Sequence, residues 1–268
     1  MRPKPRRFAR PLPVTTSEEG RLIAGLQPGR EAIRAHGPRL RRVLLSDEPG
    51  PRLEAVARFA RDQGVARVDR AARSELDRLS GGATHQGVLC WAPPLEIVEL
   101  ESLLTDPQLL AIALDGIQDP QNFGALIRSA VGLAGAAVIW PEHASAPLSA
   151  ATFRASAGAI EHARLCRVAS LTNALTESRD AGVQVIGLDA QAPIDLRSLE
   201  LSVPTVLVIG AEHTGLGRAV RRACTHVARL VRPHSVDSLN ASVAAGIALY
   251  EAATQRSRAI TNNSSPKV

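Results

Sequence analysis

From residue 109 onward, short apolar runs recur at 109–114, 137–140, 164–168, 183–188, 206–209 and 227–231, with helix-like segments between most of them. Runs this short and this uniformly apolar are strands that need cover on both faces. Parallel strands also need long crossover connections, usually helices. The pattern predicts an α/β architecture, a largely parallel sheet flanked by helices. The first run ends at Asp115-Gly116, and Asp119-Pro120 then forces a turn, because proline fixes its own φ and restricts its predecessor. Asn122 is the expected N-cap of a helix that carries Leu126 and Ile127 inward, with Arg128 less than two turns along it.

A smaller α/β unit precedes this sheet. Helices are expected around 31–35, closed by His36-Gly37, and at 51–63 and 74–79, with strands at 43–45, 65–68 and 87–91. Pro93-Pro94 and the acidic stretch 96–101 mark a boundary. The resulting division is a basic disordered arm at 1–16, a small α/β domain at 17–93, a linker at 94–107, a larger α/β domain at 108–258 and a disordered polar tail at 259–268. The arm carries Arg2, Lys4, Arg6, Arg7 and Arg10 with interspersed prolines and no acidic residue. It reads as an extended segment that contacts phosphates, or as a dispensable tail; it lacks the apolar core of a secretory signal.

Composition narrows the function classes. With 45% apolar residues in 268 the chain can bury real cores. No apolar run approaches the roughly 20 residues that span a bilayer. A formal charge of +6, with arginine far exceeding lysine, favours a polyanionic partner. Aromatics at 3% argue against a surface built from stacked bases, so nucleic acid would be held mainly through phosphates and shape. Cys90, Cys166 and Cys224 form no CxxC pair and no disulfide framework, which points to core thiols in a reducing, cytoplasmic setting. The histidines, His85 before the 87–91 strand included, show no metal-ligand spacing.

Two further strand ends carry polar residues. The 206–209 strand runs into Gly210-Ala211-Glu212-His213-Thr214-Gly215, where glycines permit close backbone approach and Gly215 is expected to open a helix. Gly-x-Gly-x-x-Gly is absent, which disfavours a nucleotide-dependent oxidoreductase. The 227–231 strand leads to a polar loop in which Ser238 or Asn240 can cap a long helix towards Glu251. On that helix Leu239, Val243, Ile247 and Tyr250 share a face, and the small residues 241–246 allow close approach of another element.

These three segments, in this order and spacing, resemble the motif set of the SpoU-type RNA 2′-O-ribose methyltransferases, the TrmH group within the SPOUT superfamily. Residues 122–130, 210–215 and 238–244 match the three motifs in turn. Residues 25–32 and 85–87 are similar to the L30e-type substrate-binding domain of the large-subunit rRNA guanosine methyltransferases. The resemblance implies a deep trefoil knot in the catalytic domain, S-adenosylmethionine bound there, and a homodimer through the knotted domain whose active site draws on both subunits. It implies that Asn122, Arg128, Glu212, Ser238 and Asn240 form the catalytic set, and that Gly210, Leu230 and Leu239 hold the cofactor with Leu188 lining the adjoining loop. Where the family has Ile-Pro-Met-x-Gly, this chain has Leu230-Val231-Arg232-Pro233-His234, keeping the apolar anchor as Leu230.

The implied reaction is in-line transfer of a sulfonium methyl to a ribose 2′-hydroxyl, without a metal. Arg128 is either the base or, since free guanidinium has a pKa above about 12, a charged group that stabilises the alkoxide. Ribosomal RNA, with guanosine as the modified nucleoside, is favoured over transfer RNA. The rival from another class is a non-catalytic RNA-binding protein with the same fold.

Overall fold

A computed structural model describes residues 16–17, 20–212, 214–230 and 239–264. The arm through residue 15, Ser238 with the rest of 231–238, and the last four residues of the expected tail lie outside the described residues.

The first unit contains β1 (Thr16–Ser17), β2 (Gly20–Ala24), α1 (Leu26–His36), β3 (Arg42–Ser46), α2 (Pro51–Asp62), β4 (Val68–Ala71), α3 (Arg73–Leu79) and β5 (Val88–Ala92), with strand order β1-β2-β5-β3-β4. β5 runs antiparallel to β2 and β3, while β3 and β4 are parallel. Period-two alternation sends Val43, Leu45, Val88 and Cys90 to the core that holds Ile33 of α1 and Val56 of α2. Leu44, Leu89 and Trp91 face Leu76 of α3 on the other side. The strand expected at 65–68 starts only at Val68. Gly64, at φ +79°, instead turns the chain out of α2, and the buried Val65 returns its amide to the Ala60 carbonyl. Its apolar side chain therefore seals a helix end. His85 is an organiser of the turn before β5: its Nδ1 accepts the Gly87 amide, so Nε2 carries the proton donated to Asp77 at 2.8 Å.

The second unit contains α4 (Leu100–Leu104), β6 (Leu110–Asp115), α5 (Pro120–Ala134), β7 (Ala137–Pro141), α6 (Ala150–Ala155), β8 (Leu165–Val168), α7 (Leu171–Asp180), β9 (Gln184–Leu188), β10 (Ile194–Asp195), β11 (Thr205–Gly210), α8 (Arg218–Ala223), β12 (His226–Arg229) and α9 (Ala241–Ser264). The strand order is β10-β12-β9-β11-β6-β7-β8, and every pairing is parallel. On one face, Phe123, Leu126, Ile127 and Ala130 of α5 share a core with Ala245, Ala248, Leu249 and Ala252 of α9. The small residues let α9 approach closely: a Cβ on Gly246 would stand 3.8 Å from Ser129 Oγ. α4, α7 and α8 bury Leu103, Leu175 and Val220 against the other face.

Two segments are more ordered than their composition indicated. Residues 94–107 pack on the second sheet: Ile97 bridges to Leu165, the Val98 amide donates to the Leu165 carbonyl at 2.8 Å, and Leu100 and Leu103 are buried. The tail expected to be disordered from 259 is helical through Ser264, because α9 runs on. Extending a helix already anchored by packing adds a hydrogen bond per residue without a new nucleation cost. Among the described residues no helix is long and apolar enough to cross a membrane.

Candidate active site

β9, β11 and β6 are neighbours, with Gly210 in register with Asp115 and Val208 with Gly187. Their C-terminal ends therefore open side by side, the place where open α/β sheets bind ligands. The loop after β11 folds back on itself: Ala211 bridges Gly215, and the Gly215 amide donates to the Ala211 carbonyl at 2.9 Å. A Cβ on Gly210 would lie 2.4 Å from the Gly215 carbonyl carbon, so only glycine fits there. Gly215 thus closes this turn, and the helix expected to start with it starts after Gly217. Asp115 Oδ2 accepts the Gly217 amide at 2.7 Å, which ties the β6 end to the start of α8.

The corner after β6 is capped differently from the sequence expectation. Asp119, not Asn122, is the N-cap of α5, accepting the Gln121 amide at 2.9 Å and the Asn122 amide at 3.4 Å, with Pro120 at the first helical position. An aspartate directly before proline fits that role well, because proline at the first position has no amide to satisfy. Asn122 is freed to point its amide elsewhere. Its Nδ2 donates to Glu212 Oε1 at 2.8 Å, and its Oδ1 accepts from Asn240 Nδ2 at 3.0 Å. Asn240 Nδ2 also donates to Glu212 Oε1. Asn240 Oδ1 meanwhile caps α9, accepting the Ser242 amide at 2.9 Å and the Val243 amide at 3.3 Å. One residue from each of the three motifs therefore meets at a single carboxylate.

Arg128 stands apart from this cluster. It is exposed and has no hydrogen-bond or ion-pair partner among the described residues. Six residues along an α-helix place it about 120° around the axis from Asn122. Ser238, the remaining member of the expected set, lies outside the described residues.

Two cavities adjoin the cluster, and Ala211, Glu212, Thr214 and Gly215 line both. One, of about 500 Å³, is lined by all four residues expected to hold the cofactor, Leu188, Gly210, Leu230 and Leu239. The other, of about 510 Å³, opens towards Asn122, Asp115 and Asp119. The sequence reading missed two charged residues of the first cavity, Asp189 and Arg221, which form an ion pair at its wall. Burial pushes the Asp189 carboxyl up, but the Gln191 amide and the Arg221 guanidinium outweigh it and hold it below the ordinary value. The signal available was position: Asp189 directly follows a buried strand beside β11. This cavity suits S-adenosylmethionine. Leu188, Ile209 and Leu239 offer apolar surface, Asp189 and Glu212 complement a cation, and the cradle at Gly210 lets backbone come close. Among the described residues no group of His, Cys, Asp or Glu could hold a metal ion. Burial raises the thiols of Cys90 and Cys166 to about 12 and that of Cys224 to about 11, as inert core thiols require.

The model of the SpoU rRNA Methylase family matches residues 109–250, more than half of the chain. The chain belongs to the SpoU family. Residues 22–98 of this SpoU protein match the RNA 2′-O ribose methyltransferase substrate-binding domain, so it is an RNA 2′-O-ribose methyltransferase of a family that uses S-adenosylmethionine. An uncharacterized tRNA/rRNA methyltransferase of Mycobacterium avium is 39% identical over 250 residues, spanning 91% of this chain and 80% of its own. The SpoU methyltransferase AviRb of Streptomyces viridochromogenes, solved with AdoMet, is 26% identical with a TM-score of 0.71, covering 90% of this chain and 92% of its own. An rRNA methyltransferase of Sinorhizobium meliloti is 26% identical with a TM-score of 0.67, covering 86% and 85%.

Proposed function

We propose that this SpoU protein methylates ribose 2′-hydroxyls of ribosomal RNA, guanosine being the nucleoside we favour, as a cytoplasmic homodimer. The observation that carries the reading is the common wall. Glu212 and its loop separate a cavity that suits S-adenosylmethionine from one that opens on Asn122 and is free to take a nucleotide. Ribosomal RNA is favoured over transfer RNA because both domains align with the Sinorhizobium meliloti rRNA methyltransferase and the catalytic part matches an rRNA methylase family model.

Leu188, Gly210, Leu230 and Leu239 would hold the cofactor, which supplies an activated sulfonium methyl. The chain's own task is to orient the ribose and accommodate charge on the 2′-oxygen as its proton leaves. Glu212 fixes the amides of Asn122 and Asn240 by charge-assisted hydrogen bonds, and Asn122 so held lines the second cavity. Ser238 belongs to the same set by motif. Arg128 faces away from this chain's cluster, so we assign it to the neighbouring subunit's site, where a guanidinium offers several donors to alkoxide and phosphate. An apolar stripe of Val243, Ile247 and Tyr250 on α9, 50%, 46% and 64% exposed, with Leu133 on the adjoining α5, supports pairing of two chains there. A knotted ending of this domain, as the family implies, belongs to the same reading.

The test is calorimetry of S-adenosylmethionine on wild type and Arg128→Ala, followed by labelled methyl transfer to unmodified 23S rRNA and tRNA transcripts. Equal cofactor affinity, with transfer to 23S rRNA by wild type only, is expected. Transfer to tRNA alone would overturn the substrate assignment, and an unchanged rate in Arg128→Ala the role of Arg128.

A further inference from the structure

A third cavity, of about 320 Å³, lies between the two domains and plays no part in the site above. Its walls come from both units: Leu22 and Pro28 from the first, Leu148, Phe153 and Ile160 from the second. The domains are clamped around it. Glu161 accepts both Arg21 Nη1 at 2.9 Å and Arg21 Nη2 at 2.5 Å, and lies 2.8 Å from His36 Nε2. Beside this clamp Gly158 sits so close to α1 that a Cβ would stand 2.7 Å from Glu31 Cβ. The cavity is thus preformed, with walls fixed by buried charge pairing and by backbone contact.

Its chemistry is that of a flat, apolar-faced ligand with a polar edge and a nearby anion. Arg21 lies over Phe153 at 5.2 Å from the ring centroid but is not itself a cavity wall. The ring is therefore braced by a cation that stands outside the cavity, and Phe153 itself is part of the lining. Thr84 and Arg154 stand exposed on the lining, and Arg154 has no hydrogen-bond or ion-pair partner among the described residues. The volume falls at the small end of the ~300–1,000 Å³ range of small-molecule sites, enough for one ring system and not for a duplex.

We infer that this interdomain cleft receives a single unpaired nucleobase of the RNA substrate, packed against Phe153 with an adjoining phosphate on Arg154. The inference rests on the RNA methyltransferase reading and extends it. RNA is read chiefly where bases are unstacked and can lie on an aromatic or guanidinium plane, and one such ring is available here in a chain with few. Since both domains form the walls, a base seated here sets the RNA at a fixed distance from Glu212. Substrate recognition and choice of the target ribose become one event.

The test uses the full chain with 4-thiouridine-containing, unmodified 23S rRNA and tRNA transcripts. Near-ultraviolet crosslinks are mapped by mass spectrometry, and affinities are read by fluorescence anisotropy. Ala150→Trp, at an exposed lining position, fills the cleft; Arg154→Ala removes the free cation. Wild type should crosslink in the peptides carrying Thr84 or Phe153. Ala150→Trp should bind RNA about tenfold more weakly and Arg154→Ala a few-fold more weakly, both with unchanged S-adenosylmethionine affinity. Crosslinks confined to other surfaces, or wild-type RNA affinity in both variants, overturn the base site while leaving the enzyme reading intact. Failure of wild type to bind either transcript overturns both readings. If Ala150→Trp proves poorly folded by its melting curve, Arg154→Ala and the crosslink map decide.

Discussion

Asn240 spends its two side-chain atoms on different tasks: Oδ1 caps α9, and Nδ2 reaches Asn122 Oδ1 at 3.0 Å. The last helix and the helix after the first central strand are thereby locked at the point where the carboxylate of Glu212 arrives. Asn240→Asp and Asn240→Ala separate the two tasks. Aspartate keeps the cap but puts a second carboxylate against Glu212; alanine loses both. We expect Asn240→Asp to keep α9 capped but to melt below wild type, because two carboxylates then face each other, and to lose methyl transfer; Asn240→Ala should lose about 1 kcal/mol, roughly 2–4 °C in a domain of this size. Paired melting curves and transfer assays check this; equal activity in wild type and Asn240→Asp would count against the role given to the amide.

The interdomain clamp makes stability depend on pH with a definite sign. Burial pushes the Glu161 carboxyl up, but hydrogen bonds and charge from His36 and Arg21 outweigh it, leaving its pKa below the ordinary glutamate value. A depressed carboxyl contributes stability above its unfolded pKa and loses it as pH falls through the folded value. Acid should therefore loosen the clamp below the usual glutamate range. Glu161→Gln should lose about 3–5 kcal/mol near neutral pH, because Arg21, 3% exposed, keeps its charge without the carboxylate. Its denaturation midpoint should then fall less than that of wild type as pH drops below about 4, the ordinary glutamate value, with the two curves parallel above it. Urea melts of both proteins across that range test it, and identical pH slopes would refute it.

How far the sequence could be read follows from whether the signal is local. Strand ends at Asp115, Leu188 and Gly210 are visible because each is a buried run broken by polar or glycine residues, and the spacing of Asn122, Glu212 and Asn240 fits a known motif set. Their convergence on one carboxylate arises from strand order, which no spacing encodes. The cap falls at Asp119 and not at Asn122 because both residues are competent locally and only the Pro120 context decides. The clamp of Arg21, His36 and Glu161 had no local signature, since its members lie far apart and come together only through docking. Helix α6, which supplies Phe153, is short, and its one local signal is the capping box of Ser149 and Thr152.

Arg256 holds α9 to the rest of the sheet. Its guanidinium donates to the carbonyls of Leu201, Gln108, Leu109 and Val203, at 2.9, 2.6, 2.9 and 2.6 Å. Only a planar fork can serve carbonyls arranged this way, so lysine should not substitute. Arg256→Ala and Arg256→Lys should each cost about 2 kcal/mol, at the level of hydrogen bonds to a charged group. Amide exchange should speed up first around Leu201, whose amide also bonds Gln255. Exchange that rises evenly over the whole chain would show that the clamp is not local.

The stripe formed by Val243, Ile247 and Tyr250 decides whether the site is completed by a second chain. These residues repeat at helical spacing and stay exposed on α9, which packs against α5, the helix that carries the exposed Leu133 and Arg128. If two chains pair there, wild type should scatter light as twice the chain mass, and Ile247→Glu should run as a single chain. Because the cofactor cavity is built within one chain, the variant should keep S-adenosylmethionine affinity within a few-fold while losing methyl transfer. Mixing provides the sharper reading. Arg128→Ala and Asn122→Ala, each inactive alone, should regain up to about a quarter of wild-type activity when co-assembled, because half of the dimers are then mixed and each mixed dimer holds one site with both residues intact. A fully active monomer, or no recovery on mixing, would place Arg128 in its own subunit's site.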